Sequence, residues 1–432
     1  MEEYDLRRIA SQINSLRSHI ECKFVQVTAT PYSLYLQPDN IELDINKRIE
    51  PVKPTETILV PYGDAYIGGD YYFDKEINPL NDYLFYAIDE EELKTIKAPD
   101  RRRFKKEDSL TSKKIEGLRN AIINFVVGGC IRIIQNGGTP KGKNNRFSFI
   151  VHTEIAKSAH QNQEDIIINL LEQMKDEVID DTLLIKSYIK RSYDLLSESI
   201  KEYGYEVPDL ECVRKTFYEA IIDEWITKSI VNSENDINSL LDDSGQLRLR
   251  TPLNIFIGGQ ILDRGITISN LIGFYYGRSP KKMQQDTVLQ HARMYGYRKK
   301  EDLAVTKLYT TREIYLRMVQ INEFDRQLRK DFEEGNFEKG IIFIGRDARG
   351  KIIPCSPNKI LISDTHVLKG GSAILPVGFN SGYKSNIYKE IQFIDDVLLS
   401  ENSGKLEGFY TIDLKKAVEI ITHIYNTLEF EV

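Results

Sequence analysis

Between Arg146 and Phe332 short apolar runs alternate with helical stretches, and few architectures accept that rhythm. The pattern predicts strands over 146–151, 229–232, 253–257, 271–276 and 303–309. Between them it predicts helices over 154–176, 181–203, 210–225, 283–297 and 311–332. Strands joined through helices run parallel, because each crossover carries the chain back to the edge it left. Runs such as LNIFI and LIGFYY, apolar at nearly every position, suit strands covered on both faces. The expected fold class is therefore α/β, a parallel sheet flanked by helices.

The flanking sequence is less regular. Leu6, Ile9, Ile13, Leu16 and Ile20 fall on one face of an amphipathic helix, followed by a short strand over 24–28. A helix and strand with nothing before them look like a domain entered part-way. Residues 38–119 are irregular, with a strand expected over 57–60 and an aromatic cluster of Tyr62, Tyr66, Tyr71, Tyr72 and Phe73. A long helix is expected over 112–135, stopped by Asn136-Gly137-Gly138. Its apolar stretch from Ala121 to Ile134 holds Asn124 and Arg132 and is too short to span a bilayer, so it reads as a buried helix. After Gly340 the chain turns β-rich over 341–344, 351–353 and 359–362, and a last helix is expected over 414–425.

Composition bounds the function. The 432 residues are enough for about three domains. Cys22, Cys130, Cys212 and Cys355 lie far apart, which excludes a disulfide scaffold and a zinc ribbon and fits a reducing cytoplasm. MEEYDLRRIA lacks a basic-then-apolar export pattern, and no membrane span is expected. The net charge of −7 argues, taken whole, against a nucleic-acid binder. Its distribution argues otherwise. Between Asn270 and Lys300 there are seven basic residues (Arg278, Lys281, Lys282, Arg293, Arg298, Lys299 and Lys300) against one acid, Asp286. Such a patch suits phosphate-backbone contacts, although a solvated loop would look the same. The run 101–106 reads as a solvated loop.

Gly137 to Asn144, GGTPKGKN, almost spells a P-loop. Asn144 stands where a magnesium-binding Ser or Thr is needed, Pro140 removes an amide, and the segment follows a helix where it should follow a strand. It reads as a plain basic loop. Asp82 with Glu92-Leu93-Lys94 is a loose carboxylate array read as surface charge. His160 and His291 have no partners at ligand spacing, so no metal site is expected.

The stretch 253–298 carries the most chemistry. A strand delivers Gly258-Gly259 at its C-terminal end, where open α/β sheets bind ligands, followed by Asp263-Arg264-Gly265. A helix then brings Gln290 and Arg293, with Arg298 just beyond it. This segment resembles motifs V and VI of the second RecA-like lobe of superfamily-two helicases. In IGGQILDRGIT, Arg264-Gly265-Ile266 match outright, while Gly259, Gln260 and Thr267 depart from the usual residues. QHARMYGYR is similar to that family's arginine-finger helix with altered spacing, so either Arg293 or Arg298 could be the finger. Thr28-Ala29-Thr30-Pro31 resembles motif III, and the strand ending at His152 resembles motif IV. The fit is closer still to the Z1 domain family. That family carries GG-x3-SRG-x-T, D-T-x-L-Q-x2-R-x2-GYR and Tyr-x-Gly-Gly, here Gly258 to Thr267, Asp286 to Arg298, and Tyr66-Ile67-Gly68-Gly69.

The resemblance implies a RecA-like parallel sheet and divides the chain into four parts. Residues 1–37 would end a first RecA-like lobe and 38–145 form an irregular and helical insertion. Residues 146–335 would be the second lobe, with a helical insert at 177–228, and 336–432 a small C-terminal α+β lobe. It further implies the C-terminal portion of a DNA-dependent ATPase or translocase of a bacterial restriction or defence system. Such a chain is inactive alone, because ATP and Mg²⁺ are bound mainly by a P-loop lobe. Arg293, Arg298 and Gln290 would be catalytic, and Gly258, Gly259, Asp263, Arg264 and Gly265 would bind nucleotide. Thr28, Thr30, His152, Thr267, Arg278, Lys281 and Lys282 would meet DNA. Expected partners are DNA, the first lobe or an upstream part of the same protein, and a methyltransferase or other defence proteins. The alternatives are a non-catalytic binding module on a degenerate lobe, or a metal-dependent endonuclease.

Overall fold

The structure is a computed structural model that describes 57–97, 104–140, 142–153, 157–231, 246–259, 268–278 and 294–333. It also describes 41–44, 47–49, 240–241, 379–381, 384–401, 411–430 and scattered positions between 12 and 27. The chain divides into two compact units, Met1–Asp364 and Thr365–Val432.

In the first unit β1 (Ile41–Asp44) and β2 (Lys47–Ile49) form an antiparallel pair. Next come β3 (Tyr66–Ile67), α1 (Gly69–Phe73), β4 (Phe85–Ala87), α2 (Glu90–Lys97) and α3 (Glu116–Gln135). Then follow β5 (Phe147–His152), α4 (Lys157–Ile179), α5 (Leu183–Glu202), α6 (Leu210–Ile222) and β6 (Ile226–Val231). The unit continues with β7 (Leu253–Gly258), β8 (Leu271–Tyr276), β9 (Gly296–Tyr297), α7 (Lys300–Leu303), β10 (Lys307–Thr310) and α8 (Arg312–Glu333).

The sheet is six-stranded in the order β4-β10-β8-β5-β7-β6, and every pairing is parallel. The fold is α/β with helices flanking this sheet, consistent with a RecA-like lobe. Every residue of β5, β7, β8 and β10 is buried, whereas the edge strands β4 and β6 are mostly half-exposed. That is the burial expected when both faces of a parallel sheet are covered. The sheet reaches beyond the predicted strands on one side: β4, from the segment that reads as irregular, pairs with β10.

The apolar helix α3 lies against β8 and β10 and is covered by α5 and α6, while α4 packs on β6 and β7. Residues Gly117 to Ile133 of α3 are buried, including Arg119, Asn120, Asn124 and Arg132. This helix is long and apolar enough to cross a membrane, and its apolar window is 89% buried inside the protein. Its polar side chains are matched: Asn124 donates to Tyr309 Oη at 2.9 Å, and Arg132 donates to Asp302 at 2.8 Å. Packing is close enough to need glycine in β8, where a Cβ at Gly273 would overlap the Phe149 ring on β5.

Thr182 and Asp209 cap α5 and α6 by accepting from backbone amides in their first turns. Asn254 anchors the start of β7: its Oδ1 accepts from Arg250 N, and its Nδ2 donates to Thr251 O.

In the second unit β11 (Phe379–Ser381) pairs antiparallel with β12 (Leu428–Phe430). Between them α9 (Lys384–Glu401) packs against α10 (Leu414–Tyr425). The unit is α+β, and α10 has the predicted bounds. The strands expected over 341–344, 351–353 and 359–362, and most of the opening helix and strand, lie outside the described residues.

Candidate functional site

The strand order places one strand at the turning point of the fold. From central β5 the chain crosses to the β6 side, returns through β7, then passes over β5 to β8 and β10. In open α/β sheets, ligands bind beyond the carboxyl ends of strands at such a reversal. Here that edge carries His152 of β5, Gly258 of β7 with Gly259 after it, and Tyr276-Gly277-Arg278 at the end of β8.

Register fixes these groups as neighbours. His152 faces Tyr276 across the β5–β8 ladder, and Gly277 N donates to His152 O at 3.0 Å. The His152 and Tyr276 rings meet edge to face at 5.5 Å, and both are buried. Thr153 follows, and its hydroxyl accepts from Gln163 Nε2 at 2.5 Å, tying the strand end to α4. Gly277 is pressed against Leu93 and Thr153, so no larger residue fits without a shift. Gly258 and Gly259 are both buried. The rim thus combines a buried imidazole, a glycine pair and Arg278.

Gln260, Asp263, Arg264, Gly265, Thr267, Lys281, Lys282, Gln290 and Arg293 lie outside the described residues, as do Thr28 and Thr30.

Arg298 is at the other end of the sheet. Its Nη1 donates to Ile268 O at 3.1 Å, and its Nη2 lies 3.5 Å from Met294 O. Ile268 sits just before β8, whose entry is tied to Ser148 near the start of β5. Burial lowers the Arg298 pKa, against the pull of Tyr72 and Asp302. The structure therefore groups His152, Gly258, Gly259 and Arg278 on one edge and commits Arg298 to main-chain carbonyls at the opposite edge.

The Tyr-x-Gly-Gly element has a definite place. Tyr66 and Ile67 form β3, which pairs antiparallel with β9, the Gly296-Tyr297 of the GYR segment. Tyr72 donates to Met294 O at 3.3 Å, and its ring lies 6.1 Å from that of Tyr295. Gly69 abuts Asn322 of α8, where a Cβ would overlap Oδ1. Asn322 donates to Asp70 at 2.8 Å, and Arg326 pairs with Asp74. Two segments more than two hundred residues apart are thereby locked together.

The basic loop is a helix stop. Gly137 and Gly138 have φ of 96° and 76°, and their amides donate to Ile134 O and Ile133 O of α3. The loop leads into the amino end of β5, opposite the rim, and two amides that a phosphate cradle would need are already spent. The described residues of this loop therefore do not fit a triphosphate. Among the described residues no three His, Cys, Asp or Glu side chains converge in a way that could hold a metal ion.

One expectation is corrected here. Glu92, read as surface charge, is 3% exposed, while its neighbours Asp82 and Lys94 are exposed and paired with Lys75 and Glu91. Its carboxylate accepts from Gly117 N and Leu118 N at the start of α3 and from Tyr275 Oη on β8, each at 2.6 Å. It links α2, α3 and the sheet.

Burial pushes the Glu92 carboxyl up to about 7 from 4.5, against those hydrogen bonds. Between the two values the folded state holds the proton that the unfolded state has released. Stability is therefore greatest below about pH 4.5 as far as this group is concerned, and is lost as pH rises through about 7. The expected loss is on the order of 3 kcal/mol. Urea unfolding across that range should show it in the native chain and not in Glu92→Gln; equal slopes would contradict it.

With this geometry in place, a family model described as Z1 domain matches residues 117–341, just over half of the chain. The chain belongs to the Z1 domain family. Comparison with curated proteins and with solved structures gives no match. The matched span of the Z1 domain opens in α3, takes in β5 through α8 and contains the rim residues. The Tyr-x-Gly-Gly element, at 66–69, precedes that span and pairs back onto it through β9.

Proposed function

We propose that this Z1 protein is the C-terminal portion of a superfamily-two helicase-like, DNA-dependent ATPase or translocase of a bacterial restriction or defence system. The observation that carries this reading is the central position of β5 in an all-parallel sheet. It sets His152, Gly258, Gly259 and Arg278 along one carboxyl edge of the sheet, next in sequence to the Asp-Arg-Gly and basic segments. ATP and Mg²⁺ would supply the phosphoryl group and its charge neutralisation, held by a P-loop on a first RecA-like lobe. This chain's part is to orient and to stabilise charge. The commitment of Arg298 to carbonyls favours Arg293 as the arginine finger, with Arg298 bracing the turn that follows it.

Arg278, with Lys281 and Lys282 next in sequence, would track the DNA backbone. Binding to a short duplex should weaken steeply from low to moderate salt, by about one power of salt per phosphate contacted. A fluorescence-anisotropy titration checks this, and salt-independent binding would remove the track. A methyltransferase or other defence protein would act beside it.

A non-catalytic binding module is the second reading. It is favoured by the same Arg298 carbonyl contacts and by Gly259 and Gln260 standing where the helicase motif carries Thr and Asp. The deciding experiment is ATP turnover, with and without DNA, by the chain together with a P-loop-bearing lobe.

A further inference from the structure

The β3–β9 ribbon carries a fan of three tyrosines. The rings of Tyr62 and Tyr66 are 5.3 Å apart, and those of Tyr66 and Tyr297 6.0 Å apart. The outer two are 57% and 68% exposed, while Tyr66 between them is half-buried. The fan is rigidly backed. Tyr66 and Tyr297 are paired through the backbone, Gly69 seats the next turn against Asn322, and Tyr72 holds Met294.

One cation lies against it and two more follow it in sequence. The Arg329 guanidinium stands 5.8 Å from the Tyr62 ring centre while also pairing with Asp325. Exposed Lys299 and Lys300 follow Tyr297 by two and three residues. The nearby carboxylates Asp70, Asp74 and Asp325 are engaged by Asn322, Arg326 and Arg329, and Asp64 is exposed.

We propose that Tyr62, Tyr66 and Tyr297 form a stacking ledge for single-stranded nucleic acid, with Lys299, Lys300 and Arg329 meeting its phosphates. Flat rings beside lysine and arginine suit bases that are out of a duplex, because a duplex hides its base faces in its own stack. The ledge lies at the Arg298 end of the sheet, away from the rim that carries His152 and Arg278, so it is a separate surface from the proposed duplex track. It goes beyond the proposed function by assigning a strand type.

The test is the affinity of the full chain for a fluorescent oligothymidylate and for a duplex of equal length. Tyr62→Ala and Tyr297→Ala should each weaken oligothymidylate binding roughly tenfold. Both should leave duplex affinity and the salt slope unchanged, since no charge is removed. Tyr62→Phe and Tyr297→Phe keep the ring and should bind as the native chain does; matching melting curves show that every variant folds. Alanine variants that keep full oligothymidylate affinity overturn the ledge and leave the ATPase reading standing. Variants that instead change only self-association overturn it in favour of a protein-contact surface. A native chain that binds neither nucleic acid overturns both the ledge and the proposed function.

Discussion

Replacing Arg293 with alanine is expected to lower DNA-stimulated ATP turnover by about 10³–10⁵-fold when the chain acts with a P-loop lobe. A guanidinium at the transferring phosphoryl group neutralises charge that develops only in the transition state, so the loss should fall on kcat, with KM for ATP little changed. Arg298→Ala should also abolish turnover, by a different route. Its guanidinium holds Ile268 O and shares Met294 O with Tyr72, so its loss frees the turn that follows the finger and takes a donor from both carbonyls. The two variants are separable by melting: Arg293→Ala should unfold with the native chain, whereas Arg298→Ala should unfold earlier. Near-normal turnover in both would sink the finger assignment.

The largest stability effect should come from Asp302→Ala. Asp302 in α7 accepts from Arg132 Nε of α3 at 2.8 Å, and the two side chains are 7% and 5% exposed. Removing the carboxylate strands a buried guanidinium with Gln135 as its remaining side-chain partner among the described residues. The expected cost is about 3–5 kcal/mol, because an uncompensated buried charge is far worse than no charge at all. The same argument predicts that Arg132→Met combined with Asp302→Leu regains most of that loss. Urea unfolding of the single and double variants checks both. A single variant within about 1 kcal/mol of the native chain would mean that water reaches the pair.

Much of the fold was legible because the core strands are long apolar runs, and LNIFIG, LIGFYY and FSFIVH can be little else once helices separate them. What escaped was short or held by tertiary contacts. β4 has three residues and β3 two, and their ladders are stabilised by partners more than two hundred positions away. The residues expected as a strand over 57–60 join no sheet among the described residues, and Ile58 and Val60 are exposed. The helix α9 lies in a tail that reads as β-rich.

Glu92 was misread because the acid-rich run Glu90-Glu91-Glu92 resembles a solvated helix start. The signal that could have corrected it was spacing: Glu92 lies four residues before buried Ile96 and next to buried Leu93, on the inward face of α2. The rim was legible only in part. Gly258 and Gly259 follow from their strand, whereas the separation of Arg298 from them depends on where β8 begins.

ATP hydrolysis by this Z1 chain joined to a P-loop-bearing lobe, measured with and without DNA, tests the central claim most directly. The proposal predicts negligible turnover for the chain alone and DNA-stimulated turnover for the joined protein, lost in Arg293→Ala. A joined, folded protein that binds ATP and DNA yet shows no DNA-dependent hydrolysis would contradict it.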